Sequence, residues 1–150
     1  MTNNDILRRL RYIKNYSDKQ MIELFSLGGL ETTIEQLLSW LKKDDHPDYL
    51  FIKDAQFSQF LNGLIIKYRG AREDNPLQIE SQLTNNIILR KISIAFNLRS
   101  DDILKIMSAA NFRLGKAELS AFFRKPGHKN YRECQSQVLR NFLTGLQNFS

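Results

Sequence analysis

Lys125-Pro126-Gly127-His128-Lys129-Asn130-Tyr131 has a precedent in its own chain: Lys43-Asp44-Asp45-His46-Pro47-Asp48-Tyr49, 82 residues earlier, with Lys, His and Tyr at the same spacing. His46 and His128 are the two histidines of the protein. Sliding the chain on itself by 82 aligns residues 3–66 with 85–148 without a gap, and 15 of those 64 positions are identical. Asn3-Asn4 meets Asn85-Asn86, Ile6-Leu7-Arg8 meets Ile88-Leu89-Arg90, and Phe60-Leu61-x-Gly63-Leu64 meets Phe142-Leu143-x-Gly145-Leu146. The chain therefore reads as a tandem duplication of a unit of roughly 65 residues. The expected division is a first repeat over 1–69, a connector over 70–84 and a second repeat over 85–150.

Periodicity makes both repeats helical. In the first, Asn3 or Asn4 reads as a cap ahead of Ile6, Leu7, Leu10 and Ile13, and Asn15-Tyr16 closes that helix. Ser17-x-x-Gln20 is a capping box that opens a second helix, stopped by Gly28-Gly29. Thr32-x-x-Glu35 opens a third, in which Ile34, Leu37, Leu38 and Leu41 form an apolar stripe. After the break at Asp44–Pro47, a fourth carries Phe57, Phe60, Leu61, Leu64, Ile65 and Tyr68. The second repeat follows the same plan. Ile88, Leu89, Ile92 and Phe96 are followed by a helix capped at Ser100-Asp101-Asp102, by Leu119, Phe122 and Phe123, and by a last helix capped at Asn130-x-x-Glu133. No alternating strand pattern is present. The fold class is all-α, two tandem four-helix units related by internal duplication (pseudo-two-fold). Leu7, Leu37, Phe60 and Leu61 are expected in one core, and Leu89, Leu119, Phe142 and Leu143 in the other.

Composition narrows the class. With 150 residues and 42% hydrophobic content the chain can bury an ordinary core. No apolar run approaches a membrane span, so no membrane partner is expected. The lone Cys134 excludes an intrachain disulfide framework and fits a reducing, cytoplasmic compartment. It also falls near His128, Lys129 and Arg132, where a thiolate would be stabilised, although a small buried cysteine is the commoner case. No Gly-rich phosphate loop, His-Glu-x-x-His or nucleophile elbow occurs. The chain reads as non-enzymatic and free of cofactors.

The repeats agree on packing and part company on charge. Gly63 and Gly145 sit mid-helix, where glycine costs on the order of 1 kcal/mol relative to alanine. A helix crossing too close for a Cβ would explain them both. The paired histidines lack the further ligands of a metal site, since Pro126, Gly127 and Asn130 replace Asp44, Asp45 and Asp48. Each is expected instead to cap the preceding helix. Formal net charge is +6 over the chain, −3 over residues 31–50 and +5 over residues 113–132. The basic stretch supplies a candidate binding patch of Arg113, Lys116, Arg124, Lys125, His128, Lys129, Tyr131 and Arg132. Bases interleaved with aromatics suit phosphate neutralisation and base stacking. Residues 101–124 also allow a helix-turn-helix comparison, with a turn longer than that motif normally has.

Asn3-Asn4-x-Ile6-Leu7-Arg8, Phe60-Leu61-Asn62-Gly63-Leu64-Ile65, Asn85-Asn86-Ile87-Ile88-Leu89, Asp101-Asp102-Ile103-Leu104 and His128-Lys129-Asn130-Tyr131-Arg132-Glu133-Cys134 together resemble the YehS-like family. That family is a group of small bacterial cytoplasmic proteins with a duplicated domain of unknown function. The resemblance covers nearly the whole chain. It implies a bacterial source and two tandem copies, and it brings no catalytic residue, substrate or cofactor with it. Two partner classes follow from the charges: nucleic acid on the second repeat, or protein, including a second copy of the chain, through the opposite charges of the two repeats.

Overall fold

A computed structural model describes residues 1–149. The helices are α1 (Asn3–Lys14), α2 (Asp18–Leu27), α3 (Ile34–Leu41), α4 (Asp54–Arg69), α5 (Asn85–Ala95), α6 (Ser100–Ala109), α7 (Lys116–Phe122) and α8 (Ser136–Gln147), with no strand among the described residues. Contacts divide the chain into one unit over Met1–Leu83 and a second from Thr84 onward. Each unit holds four helices in the same order.

Local chemistry accounts for the helix ends. Thr2, not Asn3 or Asn4, caps α1: its hydroxyl accepts from the Asp5 amide at 3.1 Å, and the Asp5 carboxylate takes the Thr2 amide at 2.9 Å. Asn15 ends the helix in the left-handed region at φ 53°. Ser17 and Gln20 form the expected reciprocal box at the start of α2. The cap of α3 is Thr33, whose hydroxyl takes the Gln36 amide, one residue beyond the expected Thr32. In the second unit Thr84 caps α5 through the Ile87 amide. Before α6, the Asp102 carboxylate holds the Arg99 amide at 2.8 Å. The final helix starts at Ser136, later than the Asn130-x-x-Glu133 pattern suggests, because the backbone of residues 132 and 134 is held by the Asn85 and Asn86 side chains of α5.

The core of the first unit is a ring cluster. Phe25 lies 5.1 Å from Trp40 and 5.0 Å from Phe60, and Phe60 stacks on Phe57 at 6.2 Å. Offset and tilted ring pairs of this kind add about 0.5–1.5 kcal/mol beyond the area they bury. Leu7, Leu37 and Leu61 complete that core, and Leu89, Leu119, Phe142 and Leu143 occupy the matching places in the second, all buried as the sequence predicts.

Both mid-helix glycines mark tight crossings. A Cβ on Gly63 would stand 1.8 Å from the Leu24 carbonyl oxygen, and one on Gly145 would stand 2.0 Å from that of Ile106. The first unit has a second such point, where a Cβ on Gly28 would meet the Gln59 carbonyl oxygen at 1.7 Å. Ala110 stands at the corresponding place in the second unit.

Residues 78–83 run back along α4. Asn62 donates to the Gln78 carbonyl, Ser58 accepts the Glu80 amide, and Asp54 accepts the Leu83 amide, at 2.9–3.0 Å. No helix among the described residues is long and apolar enough to cross a membrane.

Candidate functional site

The basic face of the second unit is built by one buried amide. Asn86, in the first turn of α5, donates to the carbonyls of Phe122 at 3.0 Å and Arg132 at 2.8 Å, and its oxygen accepts the Cys134 amide at 2.9 Å. Its neighbour Asn85 donates to the Cys134 carbonyl at 2.9 Å. The first unit repeats the arrangement 82 residues earlier. Asn4 donates to Trp40 and Leu50 at 2.9 Å each and accepts from the Ile52 amide and the Tyr49 hydroxyl at 3.2 Å. Asn3 donates to the Ile52 carbonyl at 3.2 Å. All four hydrogen-bonding positions of the Asn4 amide are used. Asn4 and Asn86 thus tie the return segment of each unit to the end of its third helix.

The histidine loops close the same segments. The Nδ1 atoms of His46 and His128 accept the amides of Asp48 and Asn130, both at 3.0 Å. The amides of Tyr49 and Tyr131 return to the histidine carbonyls at 3.0 and 2.9 Å. Each ring therefore staples its own loop, in place of the contact with the preceding helix end that was expected for it. Among the described residues no group of three or more His, Cys, Asp or Glu is placed to hold a metal ion.

With the return segment fixed, α7 and residues 130–132 enclose a groove of about 460 Å³. Ala117, Glu118, Ser120, Ala121, Arg124, Asn130 and Arg132 line it. The Glu118 carboxylate is engaged by the Gly115 amide at 3.1 Å. The Arg132 amide donates to the Ala121 carbonyl at 3.2 Å, and its guanidinium to the Tyr131 carbonyl at 2.9 Å.

Of the candidate patch, Arg124 and Arg132 meet in this groove. Lys116 is exposed at the start of α7, Arg113 in the loop before it, and Lys125, His128 and Lys129 in the loop after it. Tyr131 is half-buried. Phe122 is buried, so it packs in the core and offers no stacking face. The sequence reading passed over Ala117, Ser120, Ala121 and Asn130. The first three share a face of α7 at i, i+3 and i+4, a spacing visible in the sequence, and Arg124 follows just beyond the end of the helix. As a DNA-reading pair α6 and α7 fit poorly: six residues separate them, and α7 has seven residues.

Cys134 is buried at 3% exposure, and that burial pushes its thiol up to about 12. That burial disfavours the charged form and runs against the stabilised thiolate considered from its basic neighbours.

Fold and site together define an all-helical protein of two tandem four-helix units, each tied by an asparagine pair. The chain belongs to the family described as "Protein of unknown function (DUF1456)", which matches residues 3–70 and again residues 85–150. It is 45% identical over 147 residues to "Uncharacterized protein YehS" of Escherichia coli (strain K12), covering 97% of this chain and 94% of that protein. No solved structure matches the chain.

Proposed function

We propose that the protein is a non-enzymatic binding protein whose second unit contacts nucleic acid. The observation that supports this reading is the groove lined by both Arg124 and Arg132, with exposed Lys116, Lys125 and Lys129 close to them in the chain. Two arginines lining one groove suit a phosphate bound there, since the planar fork can bond two oxygens at once. The flanking lysines add charge without directional demand, which favours backbone contact over base reading. Anisotropy of labelled DNA and RNA mixtures, titrated with protein at several salt concentrations, tests this. Affinity is expected to fall steeply with salt, with a slope of about −0.9 per phosphate neutralised on duplex DNA and about −0.7 on single strands. Lys116→Ala or Lys129→Ala should lower that slope by about one phosphate each. Absence of binding to any nucleic acid at low salt ends the proposal.

A second reading, self-association, draws on the opposite charges of equivalent surfaces. Asp44, Asp45 and Asp48 are exposed where the second unit carries Pro126, Gly127 and Asn130 amid Lys125, Lys129 and Arg132. Under this reading dimers weaken when the three aspartates become Lys and recover when Lys125, Lys129 and Arg132 become Glu in the same chain. Exposed ion pairs contribute only about 0–1 kcal/mol each, so apolar contact has to supply most of the affinity. The two readings also oppose each other, because a second copy and a nucleic acid would compete for Arg124 and Arg132.

A further inference from the structure

The third helix of the first unit carries more apolar surface than its core uses. Leu37 and Trp40 are its fully buried residues, while Ile34 and Leu38, expected from periodicity to be core, are 37% and 40% exposed. Leu50 and Phe51 in the return segment are 48% and 50% exposed. Ile34 and Leu38 stand one turn apart on one side of α3. The Leu50 amide donates to the Ser39 carbonyl at 3.2 Å and the Leu50 carbonyl accepts from Asn4 at 2.9 Å, so its backbone is fixed beside α3 while its side chain faces outward. Glu31, Glu35, Asp44, Asp45 and Asp48, from the same stretch of chain, are exposed as well.

The second unit provides an internal control. At the positions of Ile34, Leu38, Leu50 and Phe51 it has Lys116, Ser120, Arg132 and Glu133, and it forms the same helices with the same asparagine clamp. The fold of the unit therefore does not require apolar side chains there. Four exposed apolar side chains that folding does not need, on the same helix and return segment as five exposed acids, have the composition of an interface centre and rim.

Its charge selects the occupant. Patch against identical patch would oppose two acidic rims, a repulsive arrangement. The groove of the second unit offers the complement: guanidiniums for the acids, with the aliphatic stems of Arg124 and Arg132 and the methyl groups of Ala117 and Ala121 for the apolar side chains. We propose that the patch of Ile34, Leu38, Leu50 and Phe51 docks the Arg124–Arg132 groove of another copy of this chain. The proposal rests on the self-association reading and adds to it the contact that charge alone does not supply.

Sedimentation of the full chain over a range of concentrations tests it with two variants. Ile34→Ser, Leu38→Ser and Phe51→Ser together remove the patch without changing charge; Arg124→Glu with Arg132→Glu inverts the groove. Each is expected to weaken association on the order of tenfold or more, the effect of losing central interface residues. Mixed one to one, they should form a heterodimer, because one partner keeps an intact groove and the other an intact patch. Unchanged helical circular dichroism and a cooperative melt verify folding, as the sister unit already carries Ser120 at the place of Leu38. A wild-type chain that stays monomeric at every concentration overturns both the docking and the self-association reading. A dimer that resists the serine substitutions but yields to the aspartate-to-lysine exchange overturns the docking and leaves charge pairing standing. Two weakened variants that fail to complement each other overturn the groove as the occupant.

Discussion

Replacing Gly63 by alanine sets two effects of opposite sign against each other. In a helix interior alanine is favoured over glycine by about 1 kcal/mol, so propensity alone makes the variant more stable. The crossing with α2 opposes this. The new Cβ would stand 1.8 Å from the Leu24 carbonyl oxygen, where real Cβ atoms keep at least 3.0 Å. The two helices must part by the difference, 1.2 Å. The obstacle is backbone, and the same carbonyl accepts the Gly28 amide at 3.2 Å, so it cannot turn aside like a flexible side chain. Overpacking a well-fitted core costs about 1–3 kcal/mol and here belongs at the upper end. Subtracting the propensity gain leaves a net loss of about 2 kcal/mol, or roughly 4–8 °C in melting temperature for a chain of this size. Gly145→Ala should behave alike, with its Cβ 2.0 Å from the Ile106 carbonyl oxygen. Thermal melts followed by circular dichroism decide the matter. A Gly63→Ala protein as stable as the parent, or more so, would show that the helices yield freely and that the glycine is no packing device.

Asn86→Ala strands the Phe122 and Arg132 carbonyls and the Cys134 amide at once. At about 1–3 kcal/mol per unpartnered buried group, the loss should reach roughly 3 kcal/mol. Asn85→Ala gives up one bond and should cost only about 1 kcal/mol, so equal losses on chemical denaturation would contradict the clamp. Cys134, with its thiol pushed up to about 12 by burial, should resist iodoacetamide at neutral pH in the folded protein and react once denaturant is added. Rapid labelling of the native chain would refute its placement. Burial alone would raise the Asp5 carboxyl, but hydrogen bonds from the Thr2 amide and hydroxyl and the Arg8 guanidinium outweigh it and hold the group below its ordinary value. Its folded pKa being depressed, the stability it lends is fully present above the ordinary carboxylate range and is lost as pH falls through the lowered value. Asp5→Asn should flatten the acid limb of the stability curve, and an unchanged limb would speak against this pairing.

How much of this was legible in the sequence differs from residue to residue. The repeat made the paired glycines and the shared core visible, because packing inside a unit is conserved wherever both copies keep it. Asn3 and Asn4 were misread because an asparagine at a helix start has the same local signature whether it caps or reaches across the unit. Only the partners at positions 40–52 distinguish the two, and those lie beyond any local window. Trp40 went unassigned for a related reason: α3 is apolar on more than one side, and periodicity cannot say which side meets the core. The Ala117, Ser120 and Ala121 face of α7 follows from helical spacing, whereas Arg132 is held at the groove by the Asn86 clamp.

The asparagine clamps also leave a signature in time. The Ile52 and Cys134 amides are each bonded to a side-chain oxygen 48 residues earlier in the chain, in place of a neighbouring carbonyl. No isolated helix can protect either hydrogen from exchange with solvent. Protection at Ile52 therefore requires the first unit to have closed, and protection at Cys134 the second. These two amides form a pair of clocks, one for each half of the duplication. Their relative rates measure how far two copies of one ancestral design have drifted apart in stability since each became free to change alone.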